Sequence, residues 1–112
     1  MDGIVVSNHG RRQVDGAIGA LDALPPIAVA VGSQLTVLFD SGVRSGADIL
    51  KAVALGAKAV LIGRPYVYGL GLAGEAGVRY VLRALRQDFE LTMRLSGYAR
   101  LDEFTPAALC RR

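Results

Sequence analysis

Residues 35–69 read LTVLFDSGVRSGADILKAVALGAKAVLIGRPYVYG, and in this stretch two apolar runs flank a helical pattern. Its apolar runs at 35–39 and 59–62 are rich in β-branched residues and continuous rather than alternating, which is typical of parallel strands covered on both faces. Between them, Ser45 is suited to cap a helix with Asp48 in its first turn, and Gly56 is suited to end that helix. A strand, a helix and a second strand in this order predict a βαβ unit and hence a parallel sheet.

The pattern continues upstream of this unit. A third apolar run at residues 4–6 ends in the polar turn SNHG, and residues 18–24 predict a weaker helix that ends at Pro25-Pro26. Strands that alternate with helices predict an α/β fold. The sheet belongs either to a doubly wound fold or to part of a (β/α)8 barrel.

Downstream, apolar residues at helical spacing predict a helix from Gly74 to about Leu95. Thr105-Pro106 predicts the start of a last short helix, because proline favours the first helical turn. Three parallel strands cannot close a barrel, and the run at residues 4–6 would leave an open apolar edge. We therefore expect the chain to be part of a larger fold.

The composition is that of a chain that forms a core. Of its 112 residues, 52% are hydrophobic and 21% are charged, unlike the polar, highly charged composition of disordered segments. The net charge of +3 permits an anionic partner, but acidic residues interrupt the arginines from Arg79 onward, which indicates a solvated helix face rather than a nucleic-acid surface. The single cysteine, Cys110, excludes an internal disulfide. Without a signal peptide or a long apolar stretch, we expect a cytoplasmic protein that does not bind membranes.

Two glycine-arginine turns follow the second and third apolar runs, DSGVRSG at 40–46 and GRP at 63–65. In barrels the active site lies at the carboxyl ends of the strands, and phosphate commonly lies near the last two of them. Glycines let the backbone approach a ligand, and Arg44 and Arg64 carry guanidinium groups suited to phosphate oxygens. The two turns together predict a phosphate site. For either turn alone, an ordinary tight turn with a solvated arginine is the better interpretation.

His9 is the only histidine, and it directly follows an apolar run. A lone histidine is more often structural than catalytic, but the carboxyl end of a strand is where catalytic groups lie in barrels. Arg12 could hold a carboxylate with two hydrogen bonds. With Asn8 nearby, this turn offers a proton acceptor and an anion clamp, which oxidation next to a carboxylate requires.

Two segments resemble the FMN-dependent 2-hydroxy-acid oxidase and dehydrogenase family. IVVSNHGRRQVD at 4–15 is similar to the family's strand-six active-site motif, and residues 38–69 resemble its FMN-phosphate region at strands seven and eight. The segment VDGAIGALDAL and Ser41, a position where many members have glycine, look most like the lactate monooxygenase branch. The likeness covers nearly the whole chain.

The resemblance implies a fold, a cofactor and a set of site residues. Residues 1–112 would be the C-terminal part of a TIM (β/α)8 barrel, with strands six to eight and their helices. FMN would be the cofactor, and a small 2-hydroxy acid and dioxygen would be the reactants. His9 would be the active-site base and Arg12 would bind the substrate carboxylate. The FMN site would be lined by Asp40, Gly42 and Arg44, with Gly63 and Arg64 completing the grip on the phosphate.

The sequence departs from the family in two ways. The family has a pair of glycines after the histidine, but in this chain Gly10 is followed by Arg11. Arg11 would either strain the loop or crowd the substrate, or its side chain would be exposed toward the mouth of the barrel. Everything that the family places before strand six is also missing, including the aspartate that pairs with the histidine. Since that partner supports the histidine's orientation and pKa, we expect the isolated chain to be inactive.

Three functions remain in view. The first is a fragment of an FMN-dependent oxidoreductase acting on L-2-hydroxy acids, with L-lactate as the expected substrate. Its origin would be a truncated gene, a split gene or part of a longer sequence, and its partner either a chain that supplies the missing half-barrel or a second copy of itself. The second is a non-catalytic phosphate- or FMN-binding half-barrel that self-associates. The third is another phosphate-binding barrel such as an IMP dehydrogenase-like enzyme, which the terminal position of Cys110 argues against because such enzymes place a cysteine on a catalytic loop.

Overall fold

The computed structural model describes residues 1–110, and its three strands form one parallel sheet. The strands are β1 (Gly3–Val6), β2 (Thr36–Phe39) and β3 (Ala59–Val60), in the order β1-β2-β3. Val6 is in register with Phe39, and Phe39 with Val60. The predicted parallel α/β architecture is confirmed, with each strand placed within the apolar run that predicts it or one residue beyond.

Three helices alternate with the strands: α1 (Ala20–Val31), α2 (Gly46–Ala54) and α3 (Arg64–Leu95). Short 3-10 turns cover His9–Arg11, Leu101–Glu103 and Pro106–Ala108. The last of these follows Thr105, as the Thr-Pro pair predicts, although it is a single 3-10 turn rather than an α-helix.

The start of α2 follows the prediction closely. Ser45 is its N-cap: the Ser45 Oγ accepts a hydrogen bond of 3.2 Å from the Asp48 N–H, and the Asp48 Oδ2 accepts one of 3.0 Å from the Ser45 N–H. This reciprocal pair is a capping box, which satisfies two amides that a helix start otherwise leaves unbonded. The local sequence pattern therefore correctly predicts where α2 begins.

The prediction that Pro25-Pro26 ends the first helix is wrong. α1 continues through both prolines to Val31. Each proline removes a main-chain hydrogen bond and disfavours the helix. However, Leu24 is completely buried, and Ile27 and Val31 pack against the same core. The packing of this apolar face outweighs the two lost bonds.

α3 begins ten residues before the predicted Gly74. It starts at Arg64 and contains a sharp break at Ala73 and Gly74, where Gly74 has a φ of 55°. The break folds the first part of the helix back on the second, so that Gly69 and Gly77 lie backbone to backbone: a Cβ on Gly69 would be 2.6 Å from the Gly77 carbonyl oxygen. Glycines lower the helix propensity of this region, so the sequence did not predict the first part of α3, yet Gly69 and Gly77 permit this close contact.

The described helices cover one face of the sheet. Val6, Val37 and Phe39 are buried and pack with Leu24 of α1 and Ala52 of α2 in the main core. Val5, on the opposite face of β1, is 49% exposed. The expectation that the strands are covered on both faces is therefore wrong for residues 1–110, because α1 and α2 pack on the same side.

A second, smaller core joins the C-terminal segment to the helices. Leu50 and Ala54 of α2 are buried with Phe104, whose ring centroid lies 4.2 Å from that of Tyr98. None of the helices among residues 1–110 is both long and apolar enough to cross a membrane.

A candidate anion site at the strand ends

The turns after β1, β2 and β3 enclose a cavity of about 180 Å³, called here the strand-end cavity. Parallel strands present their carboxyl ends at one edge of a sheet, so the three turns meet there. The cavity is lined by residues 9, 10, 12, 40–44 and 61–65. All seven site residues named from the sequence are among them, namely His9, Arg12, Asp40, Gly42, Arg44, Gly63 and Arg64.

The cavity carries an excess of positive charge. Arg12, Arg44 and Arg64 line it, and within residues 1–110 none of the three guanidinium groups forms an ion pair. The one carboxylate in the lining, Asp40, already accepts a hydrogen bond of 2.6 Å from the Ser7 hydroxyl. Guanidinium groups without carboxylate partners at one concave site favour binding of an anion.

Backbone donors add to this potential at one helix only. No side chain caps α3, whose N-cap is Gly63 and whose second residue is Pro65, so its positive end opens at the cavity. The start of α2 is closed by the Ser45–Asp48 capping box, and the Asp88 Oδ2 also accepts a hydrogen bond of 2.5 Å from the Gly46 N–H. An anion in the cavity would therefore meet free amides at α3 rather than at α2.

The segment at residues 7–12, called here the His9 loop, has an unusual backbone. His9, Gly10 and Arg11 are consecutive residues with positive φ, at 53°, 65° and 57°. Only glycine adopts this conformation without strain. The strain expected of Arg11 is present in its left-handed backbone, and its exposed side chain lines a neighbouring cavity with Asn8 and Arg64 rather than the strand-end cavity.

The His9 imidazole is exposed and makes no hydrogen bond within residues 1–110. Gly10 brings this loop close to Arg64: a Cβ on Gly10 would lie 3.3 Å from the Arg64 Nη2. His9, Arg12 and Arg64 thus line the same small cavity. A proton acceptor beside unpaired cations is an arrangement that can bind an acid and remove a proton from it.

Ser41 is a polar residue of the site that the sequence did not single out for a role. The Ser41 Oγ accepts hydrogen bonds from the Asn8 N–H at 3.3 Å and the Gly10 N–H at 3.4 Å, and it donates one of 3.2 Å to the Asp40 Oδ2. The sequence shows only an unexpected serine at this position. Its contacts depend on the register of β1 with β2, which no local pattern reveals.

The charged pairs that shift pKa values lie outside the cavity lining. On α3, the hydrogen bond from Arg86 lowers the pKa of Glu90, and after α3 the hydrogen bond from Arg100 lowers the pKa of Asp102. Both pairs are on the surface, and their arginines are occupied by their carboxylates. Arg86 and Arg100 are therefore paired with carboxylates, unlike the three arginines that line the cavity.

Comparison with known proteins identifies the family. The family described as FMN-dependent dehydrogenase matches residues 1–111. An FMN-dependent alpha-hydroxy acid dehydrogenase of Schizosaccharomyces pombe is 68% identical over 97 residues, which are 87% of this chain and 24% of that protein. An L-lactate oxidase of Nostoc sp. is 51% identical over 106 residues, which are 95% of this chain and 29% of that protein.

Solved structures give the same answer for the fold. A structure of (S)-mandelate dehydrogenase superposes with a TM-score of 0.94 at 43% identity, covering 99% of this chain and 31% of that one. A mandelate oxidase with a monooxide FMN adduct superposes with a TM-score of 0.85 at 48% identity, covering 95% and 32%. The chain thus spans about a quarter to a third of the proteins that it matches. Since the family match extends over nearly every residue, the chain belongs to the FMN-dependent dehydrogenase family, whose cofactor is FMN.

Proposed function

We propose that this chain is the part of an FMN-dependent oxidoreductase of L-2-hydroxy acids that supplies the FMN-phosphate site and the catalytic His9 loop. Residues 1–112 would form a partial domain equivalent to strands six to eight, with their helices, of a (β/α)8 barrel. The observation that carries the proposal is the convergence of His9 and three unpaired arginines on one cavity at the carboxyl ends of the strands. The substrate class rests on relatives named for 2-hydroxy acids, lactate and mandelate.

The cavity suits the phosphate end of FMN. Its volume of about 180 Å³ is below the roughly 300–1,000 Å³ of pockets that enclose a whole drug-sized ligand, so it matches a part of the cofactor. Arg44, Arg64 and the open start of α3 provide the charge and the amide donors that phosphate oxygens require. Nothing lies within 4 Å of where a Cβ would stand on Gly42 or Gly63, so both turns leave room for close approach of a ligand.

We assign the chemistry on the substrate side to the His9 loop. Arg12 would hold the substrate carboxylate, and the His9 imidazole would accept a proton from the substrate's C2 or its hydroxyl group. Bound FMN supplies an acceptor for the two electrons that this oxidation releases. Asp40, which the Ser7 and Ser41 hydroxyls hold in place, would accept hydrogen bonds from the ribityl chain.

We further propose that the isolated chain binds FMN without oxidising a substrate. The His9 imidazole has no carboxylate partner among residues 1–110 to orient it or to stabilise its protonated form. The face of the sheet that carries Val5 is open, so residues 1–110 leave that side of the sheet without the cover that a complete site would need. A second chain carrying the remainder of the barrel would complete the site.

The identity of the substrate is proposed from the sequence. Ser41 and the segment VDGAIGALDAL resemble the lactate monooxygenase branch, so L-lactate is the expected 2-hydroxy acid and dioxygen the second reactant.

A second candidate function follows from the open sheet. Val5 and Leu61 are 49% and 43% exposed, and β1 and β3 are the two edges of the described sheet. Apolar surface and unpaired strand edges favour association. A stable homodimer that binds FMN and never turns over would favour a non-catalytic half-barrel.

Anaerobic titration of the purified chain with FMN, then L-lactate, tests the proposal. We expect flavin fluorescence to change with a saturable dependence on the chain, and the absorbance of oxidised flavin to persist after L-lactate is added. Arg44→Ala should weaken binding by about tenfold or more, since a charge-assisted hydrogen bond is lost, whereas Arg83→Ala on the surface of α3 should not.

Two results would contradict the proposal in different ways. Absence of saturable FMN binding would refute the proposed phosphate site. Bleaching of the flavin by L-lactate would keep the site and refute the inactivity of the isolated chain. Sedimentation of the same samples distinguishes the half-barrel alternative, which requires a dimer.

A further inference from the structure

The polar contacts of Ser41 connect two parts of the site that belong to different strands. Residues 40–46 form the turn after β2, called here the phosphate turn, and the His9 loop follows β1. Between the ends of the two strands, the last backbone hydrogen bond runs from the Asp40 N–H to the Val6 carbonyl at 2.9 Å. Beyond it, the Asn8 N–H donates to the Ser41 Oγ instead of to backbone.

Among the backbone amides of the His9 loop, that of Asn8 depends most on the Ser41 hydroxyl as its hydrogen-bond acceptor. Within the described residues, the Gly10 N–H also donates to the Asn8 Oδ1 at 3.1 Å, and the His9 N–H donates to the Ser7 Oγ at 3.1 Å. The Asn8 N–H has Ser41 as its acceptor. Loss of the hydroxyl would therefore affect Asn8 first and Gly10 less.

The backbone of Ser41 is strained, which a turn alone would not require. Its φ is 92°, a conformation that favours glycine. Strained residues persist where the surrounding contacts hold them, and they concentrate at functional sites. If Ser41 only formed the turn, glycine would serve better, so the hydroxyl is the feature that accounts for a serine.

We propose that Ser41 is a positioning residue whose hydroxyl fixes the His9 loop against the phosphate turn. It accepts from the Asn8 amide on one side and donates to Asp40 on the other, so the imidazole of His9 and the groups that face FMN are held at a set separation. The role of His9 in this statement rests on the proposed function. The hydrogen bond from the Asn8 amide does not.

Two variants separate the hydroxyl from the turn. Ser41→Gly removes the hydroxyl and relieves the strained φ, whereas Ser41→Ala removes the hydroxyl and keeps the strain. Ser96→Ala is the matched control, because the Ser96 hydroxyl donates to the Thr92 carbonyl at the far end of α3. If Ser41→Ala fails to fold, Ser41→Gly still decides the question.

The first measurement is amide hydrogen exchange by NMR on the full chain. We expect the Asn8 amide to exchange about fivefold faster or more in both Ser41 variants than in the wild type and Ser96→Ala, since one hydrogen bond is lost. The Gly10 amide should change less. An unchanged exchange rate of the Asn8 backbone amide in Ser41→Gly would overturn the proposal.

The second measurement is the ring signal of His9, which is unambiguous because the chain has one histidine. In the FMN-free chain, we expect this signal to move or broaden in both Ser41 variants and to stay in place in Ser96→Ala. A His9 signal that is unchanged while Asn8 exchanges faster would reduce Ser41 to a local structural contact and overturn the positioning role.

Adding FMN separates this inference from the proposed function. If FMN shifts no resonance of the wild-type chain, the cofactor site is wrong, while the FMN-free spectra still decide the role of Ser41. If FMN shifts the resonances of the phosphate turn, we expect the wild-type His9 ring to respond too, and to respond less in the Ser41 variants. An equal response in all three would contradict the coupling of the two turns.

Discussion

At the scale of single residues, backbone strain is concentrated at the proposed site. The non-glycine residues with positive φ among residues 1–110 are His9, Arg11 and Ser41, and all three lie in the turns after β1 and β2. Each conformation costs about 1–2 kcal/mol for a residue with a Cβ. Because the net stability of a chain of 112 residues is small, strain of this size indicates that the conformation of these two turns serves function rather than stability.

The three cavity arginines should differ in what they bind. We expect Arg64→Ala to weaken FMN binding by about tenfold to a hundredfold, because a guanidinium group forms strong hydrogen bonds with phosphate. Arg12→Ala should change FMN affinity by less than about threefold, since we assign Arg12 to the substrate carboxylate. Fluorescence titration measures both values, with Arg79→Ala on α3 as the control.

Equal losses of FMN affinity in Arg12→Ala and Arg64→Ala would mean that both arginines contact the phosphate, and Arg12 would lose its proposed role. Equal affinity in all variants would leave the cavity without a phosphate function.

The convergence of site residues could be predicted because it follows from one rule. The turns after parallel strands meet at one edge, so residues as far apart as His9 and Arg64 could be placed together from their positions after apolar runs. The conformation of Arg11 and the hydrogen bonds of Ser41 could not be predicted. Both depend on how two loops pack across a sheet whose register is set by contacts distant in sequence.

At the scale of secondary-structure elements, local sequence signals predict a helix boundary correctly where packing agrees with them and fail where packing overrides them. The capping box of α2 is a local signal, and it correctly marks the start of the helix. Pro25 and Pro26 are equally strong local signals, yet the buried face of α1 overrides them. In α3, glycines at 69 and 77 lower the helix propensity but permit the two halves to touch.

The contact between the halves of α3 should be sensitive to a single methyl group. A Cβ on Gly77 would collide with the backbone of Gly69, so we expect Gly77→Ala to lower the free energy of unfolding by about 1–3 kcal/mol, the usual cost of overpacking. Gly71 lies in the same helix with nothing within 4 Å of its Cβ position, and Gly71→Ala should raise the free energy of unfolding by up to about 1 kcal/mol.

Urea denaturation of the two variants and the wild type gives both values. If Gly77→Ala were as stable as Gly71→Ala, the reversal of the chain at Ala73 and Gly74 would not exist in solution.

At the scale of the whole molecule, the hydrophobic core is small and lies on one side of the sheet. The main core contains eight buried residues, and the second contains Leu50, Ala54 and Phe104. Val5 and Leu61 remain substantially exposed. A domain of this size typically has a modest net stability, so a ligand that binds only the folded chain should raise it measurably.

FMN should stabilise the chain more than riboflavin does, because riboflavin lacks the phosphate. At a ligand concentration of about 100 times Kd, the folded state gains about 2.7 kcal/mol, which corresponds to a rise in Tm of about 10 °C for a domain of this length. Thermal melting followed by circular dichroism measures the two shifts. A shift with riboflavin as large as that with FMN would place the binding energy on the ring and argue against a phosphate site.

The order of the strands has a consequence for how the chain is made. Each strand of the described sheet pairs with the next one in sequence, and each pairing is parallel. No strand has to enter between two that are already paired, so the sheet can be extended one strand and helix at a time as the polypeptide leaves the ribosome. The outer edges of β1 and β3 are the two ends of this sheet, so each could accept a further strand at any stage of synthesis.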